Sequence, residues 1–120
     1  MSISFLGLRT GAFDAMRELY ATGLAMPVLR EAPGAAWFLA ADGAELHVYA
    51  ETDECHAFFG DAPVPGFFVD DFAAAVRRLT EHGVEWLTDP EVADGRTWRH
   101  YRAPDGNVYE VMGPLATTDG

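Results

Sequence analysis

The run Ile3 to Arg9 is apolar enough for a short strand and closes at Thr10-Gly11, with Thr10 able to cap a following helix. Phe13, Met16, Leu19 and Tyr20 then recur at helical spacing until Gly23 offers a left-handed stop. Three strands follow, over Ala25 to Glu31, Ala35 to Ala40 and Glu45 to Ala50, the last two joined by a tight Asp42-Gly43 hairpin. Glu51 to Ala62 is polar and mixed, with one helical turn expected at Asp53 to Phe59, and reads as a linker. The pattern then returns. A strand at Pro65 to Val69 leads to a cap at Asp70 or Asp71 and a helix with Phe72, Val76 and Leu79 on one face, ended by Gly83. Strands near Val84 to Thr88, Arg96 to Arg102 and Asn107 to Met112 complete it.

Each half therefore reads β-α-β-β-β, and the chain is an internal duplication. Leu19 and Gly23 match Leu79 and Gly83, Asp42-Gly43 matches Asp105-Gly106, and Leu46-His47-Val48-Tyr49 matches Tyr109-Glu110-Val111-Met112, so His47 is the counterpart of Glu110. The expected organisation is one α+β domain: a first module over about residues 2–51, a linker over about 52–63, a second module over about 64–114 and a tail over 115–120. Strand periodicity turns Leu6, Leu8, Phe67, Val69, Phe38, Tyr101, Leu46 and Tyr109 toward the helices as core. The opposite face then carries Phe5, Gly7, Arg9, Trp37, Leu39, His47, Tyr49, Val64, Gly66, Phe68, Trp98, His100, Arg102, Glu110 and Met112.

On that face Glu110 stands out. It sits in sequence among Val108, Val111 and Met112, where a charge is costly unless it is paired, metal-bound or facing a wet cavity. The large flat side chains of Phe5, Trp37, Tyr49, Phe68 and Trp98 suit stacking on a planar molecule, although each could equally fill a core or an interface. Trp86 is assigned to packing or an interface. Arg9 and Arg102 could orient an acidic group or offset surplus carboxylates, and Glu110 could pair with Arg102 or His100 across its own hairpin. Gly7 and Gly66 leave space on the face for a bound molecule.

Composition narrows the classes. The 120 residues fit one domain, and no apolar run reaches the roughly 20 residues of a membrane span. The start of the chain lacks the basic segment and long apolar core of a signal peptide, so the expected location is the cytoplasm. Cys55 alone excludes an internal disulfide and a cysteine cage, and its neighbour His56 points another way on any regular element. The net charge of -11 argues against nucleic acid and anionic membrane and is consistent with a basic ligand. All 8 basic residues are Arg, which removes Schiff-base lysine chemistry.

The duplicated modules, the helix opening Phe-Val-Asp-Asp-Phe (Phe68 to Phe72), Gly83-Val84-Glu85 and the Pro-Asp-Gly-Asn-Val-Tyr-Glu hairpin (Pro104 to Glu110) together resemble the vicinal oxygen chelate superfamily. That group includes glyoxalase I, extradiol dioxygenases and the fosfomycin and bleomycin resistance proteins. The resemblance implies two modules whose curved sheets form a cup, commonly in a homodimer. In the enzymes of the group a divalent metal is held by up to four residues on the first and fourth strands of the modules. Carried over, the fourth-strand positions are His47 and Glu110, and the first-strand positions are Phe5 and Val64, which cannot bind metal.

Two protein ligands fall short of the three a catalytic metal normally keeps. The expectation is therefore a metal-independent binder of a small, partly aromatic molecule, resembling the bleomycin-resistance branch that sequesters drugs. Trp37, Tyr49, Phe68 and Trp98 would wall the ligand, with His47, His100, Arg102 and Glu110 orienting it and Met112 beside them. Two alternatives stay open. One is a metal-dependent isomerase, lyase or dioxygenase using His47 and Glu110, with His100 as a third ligand. The other is a metal-free acid/base enzyme with Glu110 as the base.

Overall fold

Over residues 2–60 and 62–116, which the computed structural model describes, the chain forms nine strands and two α-helices. They fall into two units, Ser4–Pro65 and Gly66–Gly120 with Met1–Ile3. The elements of the first are β1 (Ser2–Thr10), α1 (Phe13–Glu18), a π-helical turn (Leu19–Gly23), β2 (Val28–Ala32), β3 (Ala35–Leu39), β4 (Glu45–Ala50) and a 3-10 turn (Ala57–Phe59). Those of the second are β5 (Val64–Phe68), α2 (Phe72–Glu81), β6 (Glu85–Trp86), β7 (Glu91–Ala93), β8 (Arg96–Arg102) and β9 (Val108–Pro114). Asp61 and residues 117–120 of the expected tail lie outside the described residues.

In the first unit the strands run β2-β3-β4-β1, with β1 parallel to β4. Its helix side buries Ala36, Phe38, Leu46 and Val48 against Phe13, Met16, Tyr20 and Ala21 of the helix, joined by Leu8 and Met26. Phe38 and Val48 are fully buried, each a contribution of about 1.5–3 kcal/mol from area removed from water. In the second unit the strands run β5-β9-β8-β6, with β5 parallel to β9 and with β7 also on β8. There Ala75, Tyr101 and Val111 form the core with Val69, Phe72, Leu79, Trp86 and Tyr109.

The repeat extends to individual hydrogen bonds. In the β3-β4 loop Ala40 N–H bonds the Ala44 carbonyl (2.8 Å), Gly43 N–H bonds the Ala40 carbonyl (3.0 Å), and Asp42 Oδ1 accepts from Ala44 N–H (3.0 Å). In the β8-β9 loop the equivalent bonds run from Ala103 to Asn107 (3.0 Å), from Gly106 to Ala103 (2.9 Å) and from Asn107 N–H to Asp105 Oδ1 (2.9 Å). Gly43 and Gly106 take φ of 89° and 82°, the left-handed region that the Asp-Gly pairs predict. Asp71 caps α2, its Oδ1 accepting from Ala74 N–H at 3.0 Å. Trp86 is a packing residue, edge-on to Tyr101 and covered by the Arg99 guanidinium.

Several expectations need correction. Thr10 does not cap the first helix: its Oγ1 accepts from Ala12 N–H in the preceding turn, and Ala12 occupies the N-cap without a side-chain bond. The third segment becomes a strand only at Val28, because Ala25 turns into positive φ (52°). Leu6 points to the helix side but stays 37% exposed, since α1 is only 6 residues long and its packing reaches Leu8. Glu91–Ala93 forms an unanticipated strand on β8, turned by Asp94-Gly95 with φ of 53° and 74°. That is a two-residue hairpin of the positive-φ kind, and Asp-Gly is its usual sequence.

Candidate functional site

Strand register places the expected site residues in rows across each sheet. In the first unit Arg30, Trp37, His47 and Gly7 lie side by side on β2, β3, β4 and β1. Tyr49 stands in the next row beside Arg9. Trp37 packs edge-on against both His47 and Tyr49, with ring centroids 6.3 and 5.9 Å away. Arg30 lies over the Trp37 ring, 4.0 Å from its centroid. Phe5 lies 4.8 Å from His47, and the space above Gly7 is filled by Phe59, whose ring would meet a Cβ there at 2.7 Å. Gly7 therefore makes room for the protein's own Phe59, which corrects the expectation of an open floor at that position.

His47 sits in a chain of bonds along the same face of β4. Its Nε2 is 3.0 Å from Glu45 Oε1, and its Nδ1 is 3.3 Å from the Tyr49 hydroxyl. A carboxylate only accepts, so Nε2 carries the proton and Nδ1 takes the Tyr49 O–H. Burial is the main cause that lowers the His47 pKa from its ordinary value. The Glu45 bond and charge oppose that shift, and the charges of His56 and Arg30 add to it. His47 is thus held neutral with both ring nitrogens engaged.

The linker supplies a group that the sequence argument passed over. His56 stacks on Tyr49 with ring centroids 3.7 Å apart and planes 13° from parallel. Its Nδ1 bonds Asp53 Oδ2 at 3.0 Å, and Asp53 Oδ1 takes the Cys55 N–H at 2.9 Å. Arg9 ties the segment down from below: Nε donates to the Asp53 carbonyl (3.2 Å) and Nη2 to the Glu51 carbonyl (2.6 Å). The Asp-x-x-His spacing was the available signal, since a turn brings residues three apart together. A cavity of about 240 Å³ opens near Arg9, lined also by Thr10, Gly11, Glu51 and Gly60.

In the second unit Gly66, Glu110 and His100 form one row, and Phe68, Met112, Trp98 and Glu91 form the next. Gly66 stands to Glu110 as Gly7 stands to His47, as the duplication requires. Glu110 and His100 are both 4% exposed, and Glu110 Oε1 lies 3.7 Å from His100 Nε2, an ion pair when the imidazole is protonated. Of the two partners expected for Glu110, His100 is the one that pairs with it. Arg102 instead pairs with Glu85 (3.4 Å) and donates to the Gly106 carbonyl (3.0 Å), one row away. Trp98 is half-buried, its Nε1 donating to Glu91 Oε2.

The donor chemistry does not fit a metal of the kind the enzymes hold. Phe5 and Val64 are buried apolar residues (5% and 0% exposed) at the first-strand positions, and His47 spends both nitrogens on Glu45 and Tyr49. Among the described residues no group of three His, Cys, Asp or Glu side chains is placed to hold an ion. Nor, among them, is any helix long and apolar enough to cross a membrane.

Comparison with known proteins places this arrangement. The family model of the Glyoxalase/Bleomycin resistance protein/Dioxygenase superfamily matches residues 2–111. Among solved structures, hypothetical protein BH1468 from Bacillus halodurans C-125 is 15% identical, with 99% of this chain and 98% of that one covered and a TM-score of 0.71. Methylmalonyl-CoA epimerase from Mycobacterium tuberculosis is 20% identical over 95% of this chain and 88% of its own, with a TM-score of 0.67. The Mn(II)-bound glyoxalase from Novosphingobium aromaticivorans is 20% identical, with a TM-score of 0.74, and 95% of this chain covers 39% of it. At these identities the likeness shows the fold alone. No curated protein matches the chain significantly. With its family model matched over residues 2–111, a first unit in β-α-β-β-β order and a second that adds β7 to that order, the chain belongs to the Glyoxalase/Bleomycin resistance protein/Dioxygenase superfamily.

Proposed function

We propose that the protein binds a small, partly aromatic molecule without a metal and sequesters it rather than transforming it. The observation that carries this reading is the state of His47, whose two ring nitrogens are taken by Glu45 and Tyr49 while Phe5 and Val64 stand where further ligands would be needed. The ring cluster of Trp37, Tyr49 and His47 on one sheet face supports an aromatic ligand, and the net charge of -11 supports a basic one such as a cationic drug. Phe68, Trp98 and Met112 offer an apolar row in the second unit, next to the Glu110–His100 pair that would orient polar groups, with Arg102 beside it. The exposed aliphatic side chains of Leu6, Leu19, Leu24, Val28 and Leu29 support assembly as a homodimer. The cytoplasm is the proposed location.

The test is equilibrium dialysis against Mn(II), Ni(II) and Zn(II) followed by elemental analysis. The reading expects well under one metal per chain. One metal per chain, lost in Glu110→Ala, would establish the metal-dependent alternative instead. A second reading, acid/base chemistry at Glu110, is favoured by one observation: its carboxylate is buried beside an imidazole. Exchange of a bound molecule's C–H for deuterium that stops in Glu110→Gln would move the account to that reading.

A further inference from the structure

We propose that Asp53 and His56 form a hydrogen-bond-accepting subsite for the ring N–H of a protonated heteroaromatic ligand. The inference rests on the binding reading above and specifies the class of molecule. Because the Asp53 carboxylate can only accept, the 3.0 Å bond places a proton on His56 Nδ1, and in the neutral ring that tautomer puts the lone pair on Nε2. Among the described residues Nε2 has no hydrogen-bond partner, and the side chain keeps 25% of its surface exposed. Stacking on Tyr49, nearly parallel at 13°, fixes the plane in which that lone pair points.

The segment behind the dyad is tied down at several points. Arg9 binds the Asp53 and Glu51 carbonyls, the Asp53 side chain closes a turn on Cys55 N–H, and Phe59 is buried three residues beyond His56. A side chain held from both ends of its segment is positioned before any ligand arrives, so a bond to it does not first have to order the loop. The carboxylate behind the ring also strengthens Nε2 as an acceptor by polarising the imidazole. Trp37 also packs edge-on against Tyr49, so the acceptor borders the aromatic cluster. Among the described residues no third ligand joins the pair for a metal.

Two dyes with one ring system and one charge isolate the bond. Acridine orange in its cationic form has a single ring N–H, and its N10-methyl derivative has none. Quenching of tryptophan fluorescence by each dye is expected to give about tenfold tighter binding of the N–H form, in keeping with a hydrogen bond between a cation and a neutral acceptor. In His56→Phe, which keeps a ring on Tyr49 but has no Nε2, the two dyes should bind alike, and in Asp53→Asn the preference should narrow. Equal binding by the wild-type protein, or a preference that survives His56→Phe, overturns the subsite and leaves the binding reading standing. Failure of both dyes to quench overturns the binding reading and the subsite with it. Nitrogen-15 NMR of His56 gives an independent check that needs no dye: the Nδ1–H tautomer is expected in wild type and its loss in Asp53→Asn, and an Nε2–H tautomer in wild type overturns the proposal.

Discussion

Replacing Glu110 by Leu should destabilise the protein far more than replacing Glu110 and His100 together. Both side chains are almost completely removed from water, with 6% and 5% of their surfaces exposed and 3.7 Å between Oε1 and Nε2. With His100 protonated, at an effective dielectric of about 20, a charge pair at that separation attracts by about 4–5 kcal/mol. The cost of taking two ions out of water is of similar size, so the pair contributes little net. Removing one partner keeps the burial cost of the other, and a loss of about 3 kcal/mol follows. With a urea slope of about 1.5 kcal/mol/M, the unfolding midpoint of Glu110→Leu should fall by about 2 M. The double variant His100→Leu/Glu110→Leu removes both burial costs and should recover at least about half of that loss, so that it falls well short of the sum of the two single losses. The assay is urea unfolding followed by far-UV circular dichroism on wild type, both single variants and the double. A double variant that loses the sum of the two single losses would refute the reasoning, because it would mean that the groups do not interact.

Other outcomes follow from the same geometry. The pKa of His47 is lowered mainly by burial, so its contribution to stability is complete above its unfolded value near 6.5 and declines as pH falls through the depressed folded value. His47→Gln should remove this part of the acid-side loss, read as a flatter plot of urea midpoint against pH. The Tyr109 hydroxyl bonds Asp105 Oδ2, which with the Asn107 bonds holds the Asp105 carboxyl low and, as the first cause on the other side, raises the Tyr109 phenol. That turn should therefore weaken at both extremes, as pH falls below the ordinary carboxylate range and as it rises past 10, and in thermal melts Tyr109→Phe should abolish the alkaline effect and reduce the acid one, part of which the Asn107 bonds retain. Asp71→Ala removes the bond to Ala74 N–H and should cost about 1 kcal/mol of unfolding free energy.

Much of this molecule was legible before its fold was described, and the reasons are specific. The two Asp-Gly loops could be found because a tight hairpin needs positive φ and few residues supply it. The His47 to Glu110 equivalence followed from counting onward from those loops, and register confirms the matching Gly7 and Gly66 partners. Asp94-Gly95 carries the same signal, yet its hairpin was missed because Glu91–Ala93 is only 3 residues long, exposed and without the apolar alternation that marks a strand. The ion-pair choices of Glu110 and Arg102 were illegible for a different reason. Both candidate partners project from the same face of β8, and only the register shows that His100 stands opposite Glu110 while Arg102 stands opposite Val108 and Glu85. His56 was hidden by its setting in an irregular segment, where periodicity says nothing about direction. It took the stacking on Tyr49 and the bond to Asp53 to bring it onto the aromatic face.

The account stands most directly on ligand binding by metal-free protein. Protein stripped with a chelator and titrated with planar aromatic cations should show saturable quenching of its tryptophans, with the same midpoint after Mn(II), Ni(II) or Zn(II) is added back and a much weaker response in Trp37→Ala. Quenching that appears only when a metal is restored would contradict it.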